Sequence, residues 1–177
     1  LRLVAPGVTM GGARPKALVD VDGLPWVVKF ADPGEPTDAP LIEHATMTLA
    51  RQARITTAET RAIRRFDRVR APDGSLHRIH AQSAHVALGA AGELSGYPEL
   101  AQLLRRRGVA GLNTEQMHEL FRRMVFNILI DNTDDHDKNH VLLARDERSG
   151  QFELAPAFDV LPSGQALGYQ QMRVGDD

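Results

Sequence analysis

The sequence predicts an α+β fold in two lobes, a small and mostly antiparallel sheet lobe followed by a larger helical one. Two observations carry this. Residues 1–70 read as short apolar runs separated by Gly and Pro, whereas residues 71–177 hold the strongest helical periodicity. A length of 177 residues suits one domain, or the two lobes of one small enzyme.

Taken in order, Leu1 to Val4, Ala17 to Val21 and Trp26 to Phe30 read as strands, with a turn at Asp22-Gly23. Ala31 to Pro40 holds three prolines and Gly34 and reads as a surface loop. Leu41, Ala45 and Leu49 then recur at helical spacing, with polar Glu43, His44 and Arg51 between them. Thr56 to Val69 reads as further strand, ended by the Pro72-Asp73-Gly74 turn. A helix is expected from Pro98 onward, through Leu100, Leu103 and Leu104. Next come Met117, Leu120, Phe121, Met124, Val125 and Ile128, with Asn113 and Gln116 as the expected cap pair. A hairpin of Val141 to Ala144 with Phe152 to Leu154 closes the pattern.

Composition narrows the function classes. The formal net charge is −2, so no global positive field advertises nucleic acid or an anionic membrane. Arg61 to Arg65 and Arg105 to Arg107 are local basic patches that read as solvated faces, with contact to DNA phosphate as the alternative. Cys is 0, which removes disulfides, thiolate nucleophiles and Cys-ligated zinc and fits the cytoplasm. No run is long and apolar enough to span a bilayer. The chain opens on Leu1 and reads as a piece of a longer protein. Of 21 basic residues only Lys16, Lys29 and Lys138 are lysines, and all three fall in the motifs below.

Asp131 to His140 packs four Asp, two His, two Asn, one Lys and one Thr into ten residues between an amphipathic helix and a strand pair. Such a run is costly unless it binds something or faces water. Asp134 precedes Asn139 by five residues, the separation of the D-x-x-x-x-N catalytic loop of protein kinases, and an isolated acid, Asp159, follows the hairpin. On that reading Asp134 accepts a hydroxyl proton, while Asn139 and Asp159 hold Mg²⁺ against the phosphates of ATP. His136 lies where a cationic side chain reaches the transferring phosphoryl group; a loop-ordering role is its alternative.

The first half should then bind the nucleotide. Lys29 sits inside an apolar strand, where an ammonium needs an anion, and Glu43 on the following helix is the expected partner. Gly11 and Gly12 let backbone amides approach phosphate, with Lys16 beside them.

Met10 to Lys16, Arg65-Phe66-Asp67-Arg68, His80 to Ala84, Asn132 to His136 and Leu154 to Asp159 together resemble the HipA family of serine/threonine kinases. These are the toxin halves of bacterial type II toxin–antitoxin pairs. The resemblance runs through nearly the whole chain in the right order. It implies a protein-kinase-like, HipA-like fold, ATP and Mg²⁺, a protein substrate, and a small DNA-binding antitoxin of HipB type through which any contact with DNA is indirect. In well-known members the substrate is an aminoacyl-tRNA synthetase.

By the same resemblance Lys29 is the ATP lysine, Asp134 the catalytic aspartate, and Asn139 and Asp159 the magnesium ligands. Phe66 and Asp67 match the hinge that meets adenine and ribose, and Gln82 faces the nucleotide. Thr9 aligns with the serine that such kinases phosphorylate on their own phosphate loop. Residues 1–70 then form the nucleotide-binding lobe and residues 71–177 the catalytic lobe. The family's further N-terminal region and C-terminal helices lie outside this sequence. Asp137 stands where an apolar or small residue is expected.

Three other readings share some of these residues. A metal-dependent phosphohydrolase would ligate metal through Asp134, Asp135, His136 and His140 but has no use for Lys29. A small-molecule phosphotransferase shares the kinase layout. A catalytically dead docking module would not need Lys29, Asp134, Asn139 and Asp159 together.

Overall fold

Asp22 and Gly23 both adopt positive φ, 53° and 73°, as a two-residue hairpin turn requires. They join strand β2 (Lys16–Val21) to β3 (Leu24–Lys29), and with β1 (Arg2–Ala5) and β4 (Ile63–Arg64) these form a four-stranded antiparallel sheet in the order β1-β2-β3-β4. The computed structural model describes residues 2–5, 16–31, 34–59, 62–92, 94–163 and 169–175. Thr9, Gly11 and Gly12 lie outside the described residues.

Helix α1 (Ala39–Gln52) starts where Asp38 accepts the Leu41 amide at 3.0 Å. Its orientation is opposite to the one its apolar stripe suggests. Leu41, Ala45 and Leu49 are exposed, and Glu43, Thr46, Met47 and Ala50 face inward. The inner stripe stays tolerable because Thr46 bonds back to the Ile42 carbonyl and Glu43 is paired.

The expected strand from Thr56 to Val69 is mostly irregular. Among its described residues only β4 and β5 (Arg68–Arg70) are strands, and β5 pairs with β6 (Leu76–Arg78) around the Asp73-Gly74 turn. Instead, residues 56–58 attach to a distant segment: the Ala58 amide donates to the Ala157 carbonyl at 2.8 Å and the Ala157 amide to Thr56 at 2.7 Å. Those bonds tie the end of α1 to the chain just before Asp159.

The second half contains a three-stranded sheet of β7 (His80–Ser83), β8 (Val141–Ala144) and β9 (Glu153–Leu154), so the expected hairpin is present and gains a third strand. Against it pack α2 (Ala84–Ala91), α3 (Tyr97–Arg107) and α4 (Asn113–Leu129). Ala84, Leu88, Tyr97, Leu100, Leu104, Leu120, Leu142 and Met172 form one core. A second core joins Met47 and Ala50 of α1 to Phe126 of α4, Ala157 and Val160. Asn113 and Gln116 do not cap α4: Gln116 Oε1 instead accepts the Leu154 amide at 2.7 Å, fixing the sheet edge. Among the described residues no helix is long and apolar enough to cross a membrane.

Candidate active site

Lys29 ends β3, and its ammonium meets two carboxylates that arrive from separate elements. Nζ lies 2.8 Å from both Oε1 and Oε2 of Glu43, on the inner face of α1, and also donates to Oδ1 of Asp159. Burial disfavours the ammonium, but Asp159 and Glu43 outweigh it and hold the Lys29 pKa above its ordinary 10.5. Burial pushes the Glu43 carboxyl up from its usual 4.5, a shift that Lys29 only partly offsets.

Glu43 does a second thing. Its Oε1 accepts the backbone amide of Asp159 at 3.2 Å, and Asp159 has a left-handed backbone, φ 59°. A non-glycine residue holds that conformation only where its surroundings fix it. One helix carboxylate thus sets both the lysine and the acid.

The β2–β3 register puts Lys16 directly across from Lys29. The register thus brings two cationic side chains to one face of the sheet, where Lys29 is already paired with Glu43 and Asp159. A cavity of about 470 Å³ opens there, lined by Lys16, Lys29, Asp159, Phe66, Asp67, Gln82, Arg65 and apolar Val27, Ile63, Ala81, Val141 and Phe158. Its volume and mixed lining suit a ligand with a flat apolar part and an anionic part.

Phe66 packs on Phe158 with ring centroids 5.5 Å apart, which joins the segment before β5 to the residue before Asp159. Asp67 is buried and held by two guanidinium groups: Arg65 Nε donates to Oδ1 at 2.8 Å, and Arg65 Nη2 and Arg68 Nη1 each donate to Oδ2 at 2.5 Å. Burial alone would raise its pKa, but the Arg65 hydrogen bonds and the charges of Arg65 and Arg68 hold it below the usual 3.8. Arg65 and Arg68 carry no task in the sequence reading, although both fall in the Arg65-Phe66-Asp67-Arg68 motif.

The polar run forms a loop resting on a buried network. Asp135 accepts from Tyr97 Oη and lies 3.0 Å from His140 Nε2; Asn127 of α4 donates to Tyr97 Oη at 3.1 Å, and Asn132 donates to Asn127 at 3.2 Å. Thr133 adds two bonds to Ser163 Oγ. These partners hold Asn132, Thr133 and Asp135 inward, and Asp134 stays exposed, its Oδ1 accepting from Gln171 at 3.4 Å.

Asn139 donates through Nδ2 to the Asp134 carbonyl at 3.3 Å, leaving its Oδ1 as an acceptor for a ligand. Asn139 and Asp159 therefore offer an amide and a carboxylate oxygen, hard donors that fit Mg²⁺. His136 Nδ1 is buried without a hydrogen-bond partner. Asp135 and His140 are committed to each other, and among the described residues no group of three His, Asp or Glu side chains converges to hold a metal. That arrangement disfavours the four-ligand metal site of the phosphohydrolase reading.

Lys16, Lys29, Phe66, Asp67, Gln82 and Asp159 thus share one cavity, with Glu43 bonded to its edge. Asp134, His136 and Asn139 do not line it; they lie on the loop that follows α4.

A family model described as the HipA-like C-terminal domain matches residues 8–177. Over 106 residues the chain is 31% identical to the "Putative kinase Y4mE" of Sinorhizobium fredii, covering 56% of this chain and 24% of that protein. Two solved structures share the fold. HipA of Shewanella oneidensis MR-1, solved with HipB and operator DNA, gives a TM-score of 0.67 at 19% identity, covering 95% of this chain and 47% of its own. The Helicobacter pylori proinflammatory kinase CtkA gives 0.61 at 18% identity, covering 88% and 56%. The chain spans about a quarter of the curated relative and about half of each solved chain.

Proposed function

The chain belongs to the family of HipA-like C-terminal domains, and from that premise we propose that it is the catalytic part of an ATP- and Mg²⁺-dependent kinase that phosphorylates serine or threonine of a protein. One observation carries the reading. Lys29, Glu43 and Asp159, separated by up to 130 residues, meet at the edge of a cavity sized for a nucleotide.

On this reading the two lobes, residues 1–70 and 71–177, hold the nucleotide between them. The base lies in the apolar part of the cavity near Phe66, Asp67 and Gln82. Lys29, oriented by Glu43, pairs with the α and β phosphates, and Lys16 adds positive charge beside the Gly11-Gly12 loop. Asn139 and Asp159 would hold Mg²⁺, which would supply neutralisation of the phosphate charge. Asp134 accepts the proton of the substrate hydroxyl as its oxygen bonds to the γ phosphorus; the bond to the β-phosphate oxygen breaks and ADP leaves. His136 stabilises the transferring group through its ring. Asp67, already held by Arg65 and Arg68, retains lone pairs for a ribose hydroxyl.

The fold shared with a HipA solved with HipB and operator DNA supports a small DNA-binding antitoxin as partner, with DNA contacted through it. Thr9 is proposed as the regulatory phosphosite: a phosphate of about −1.5 to −2 charge there competes with ATP for the loop amides and lysines. Thr9→Ala should keep kinase activity longer during incubation with ATP, and Thr9→Asp should weaken ATP binding. Phosphopeptide mapping that finds no modification between Val8 and Lys16 would refute this part alone.

The test of the main reading is incubation of the full-length protein with a bacterial lysate and γ-labelled ATP. Label on serine or threonine of a protein, lost with Asp134→Asn, is expected. Label confined to small molecules, or released only as phosphate, contradicts it.

A further inference from the structure

Two side chains reach the catalytic loop from outside it and end on the same oxygen. His85 Nδ1 lies 2.9 Å from Asp137 Oδ2, and Ser95 Oγ donates to that oxygen at 2.8 Å. An ionised carboxylate only accepts, so His85 donates as well. His85 belongs to the first turn of α2, and Ser95 to the segment that leads into α3.

Asp137 is 9% exposed. A buried carboxylate is costly without hydrogen bonds, so these two contacts are a condition of its placement. It opens a one-turn 3-10 helix, Asp137–Asn139, which the Asn139 amide closes by donating to the His136 carbonyl at 2.9 Å. Neither His136 nor Asn139 makes a side-chain hydrogen bond outside the loop among the described residues. The other anchors of the loop, Thr133, Asp135 and His140, lie on either side of this turn. Within the turn, Asp137 is the side chain tied to the rest of the lobe.

We propose that Asp137 is a positioning residue: His85 and Ser95 clamp its carboxylate and thereby hold His136 and Asn139 where a magnesium-bound nucleotide needs them. The inference rests on the kinase reading of the site. It also explains why an acid stands where a small residue is expected, since a small residue offers nothing for α2 to hold.

The test uses the full-length protein and two readouts: Mg²⁺ titrations of the binding of a non-hydrolysable ATP analogue, followed by calorimetry, and kcat and KM. Asp137→Ala should raise the half-saturating Mg²⁺ concentration by about 10-fold or more, the range seen when residues that orient metal ligands are lost, and should lower kcat. Asp137→Asn keeps an acceptor for Ser95 and should recover most of both. His85→Ala should have a smaller effect alone and none in the Asp137→Ala background. A lower melting temperature with wild-type Mg²⁺ dependence and kcat overturns the proposal, as do additive effects of the two substitutions. If Asp137→Ala does not fold, Asp137→Asn and Ser95→Ala are compared in the same way; wild-type Mg²⁺ dependence in Ser95→Ala and His85→Ala together overturns the clamp. A wild-type protein that binds magnesium and nucleotide without transferring phosphate defeats the kinase reading, and the binding titrations still decide the clamp.

Discussion

Asp134 and Asp159 are both acids near the proposed phosphates, and the structure surrounds them differently. Asp134 is exposed on the loop, bonded only weakly through Gln171, whereas Asp159 is bonded to Lys29 and held by Glu43. Asp134→Asn should therefore abolish phosphoryl transfer with nucleotide affinity nearly unchanged. Asp159→Asn should weaken magnesium-dependent nucleotide binding as well. Equal loss of affinity in both variants, measured by calorimetry, would mean the roles are misassigned. Asp67 makes a prediction in pH. Its carboxyl is held below its ordinary 3.8, so it binds a proton less readily in the folded protein than in the unfolded chain. Its contribution is present above the ordinary carboxylate range and is lost as pH falls below 3.8 toward the folded value. Denaturant midpoints between about pH 2 and 5 should show a dependence that Asp67→Asn reduces; an unchanged profile would contradict the paired arrangement.

At the scale of elements, α1 and α4 show why part of the site was legible in the sequence and part was not. Apolar spacing predicted both helices, the D-x-x-x-x-N spacing singled out Asp134 and Asn139 as candidates, and a lysine inside an apolar strand and an isolated acid after the hairpin singled out Lys29 and Asp159. Neither kind of spacing reveals which face is buried when the inward side chains are charged. In α1 the inward stripe contains Glu43, and in α4 it contains Glu119, Arg123 and Asn127, while Phe121, Val125 and Ile128 are exposed. These polar residues are buried because each finds a partner far away in sequence, which no local pattern contains. Glu119 Oε1 accepts the Thr56 amide at 2.9 Å and Arg123 Nε at 3.0 Å, and Arg123 Nη2 donates to the Ala155 carbonyl at 2.9 Å. One pair thus joins α4 to the linker after α1 and to the segment before Asp159. Arg123→Ala should cost about 1–3 kcal/mol: Glu119 keeps Arg122 and the Thr56 amide, but the Thr56 and Ala155 carbonyls lose the guanidinium that donates to them. Replacing both residues by apolar ones of similar volume should recover much of the loss. Denaturant unfolding measures both, and a loss below about 1 kcal/mol in the single variant would show that the pair contributes little.

For the whole molecule, the second core explains how a cleft can depend on residues so far apart. Met47 and Ala50 of α1 pack with Phe126, Ala157 and Val160, and Phe66 and Phe158 rest against the same cluster. The helix bearing Glu43, Phe66 and the residue before Asp159 therefore share one packed unit, so the cavity is a property of the fold rather than of any single loop. This chain contains only three lysines, which makes occupancy of the cavity directly readable. An ATP acyl phosphate transfers its acyl group to an amine beside the bound phosphates. Applied to the full-length protein and read by peptide mass spectrometry, it should acylate Lys29 or Lys16, and excess ATP with Mg²⁺ should protect them. No ATP-protected label on either lysine, with labelling that follows surface exposure alone, would contradict the assignment of this cleft to a nucleotide.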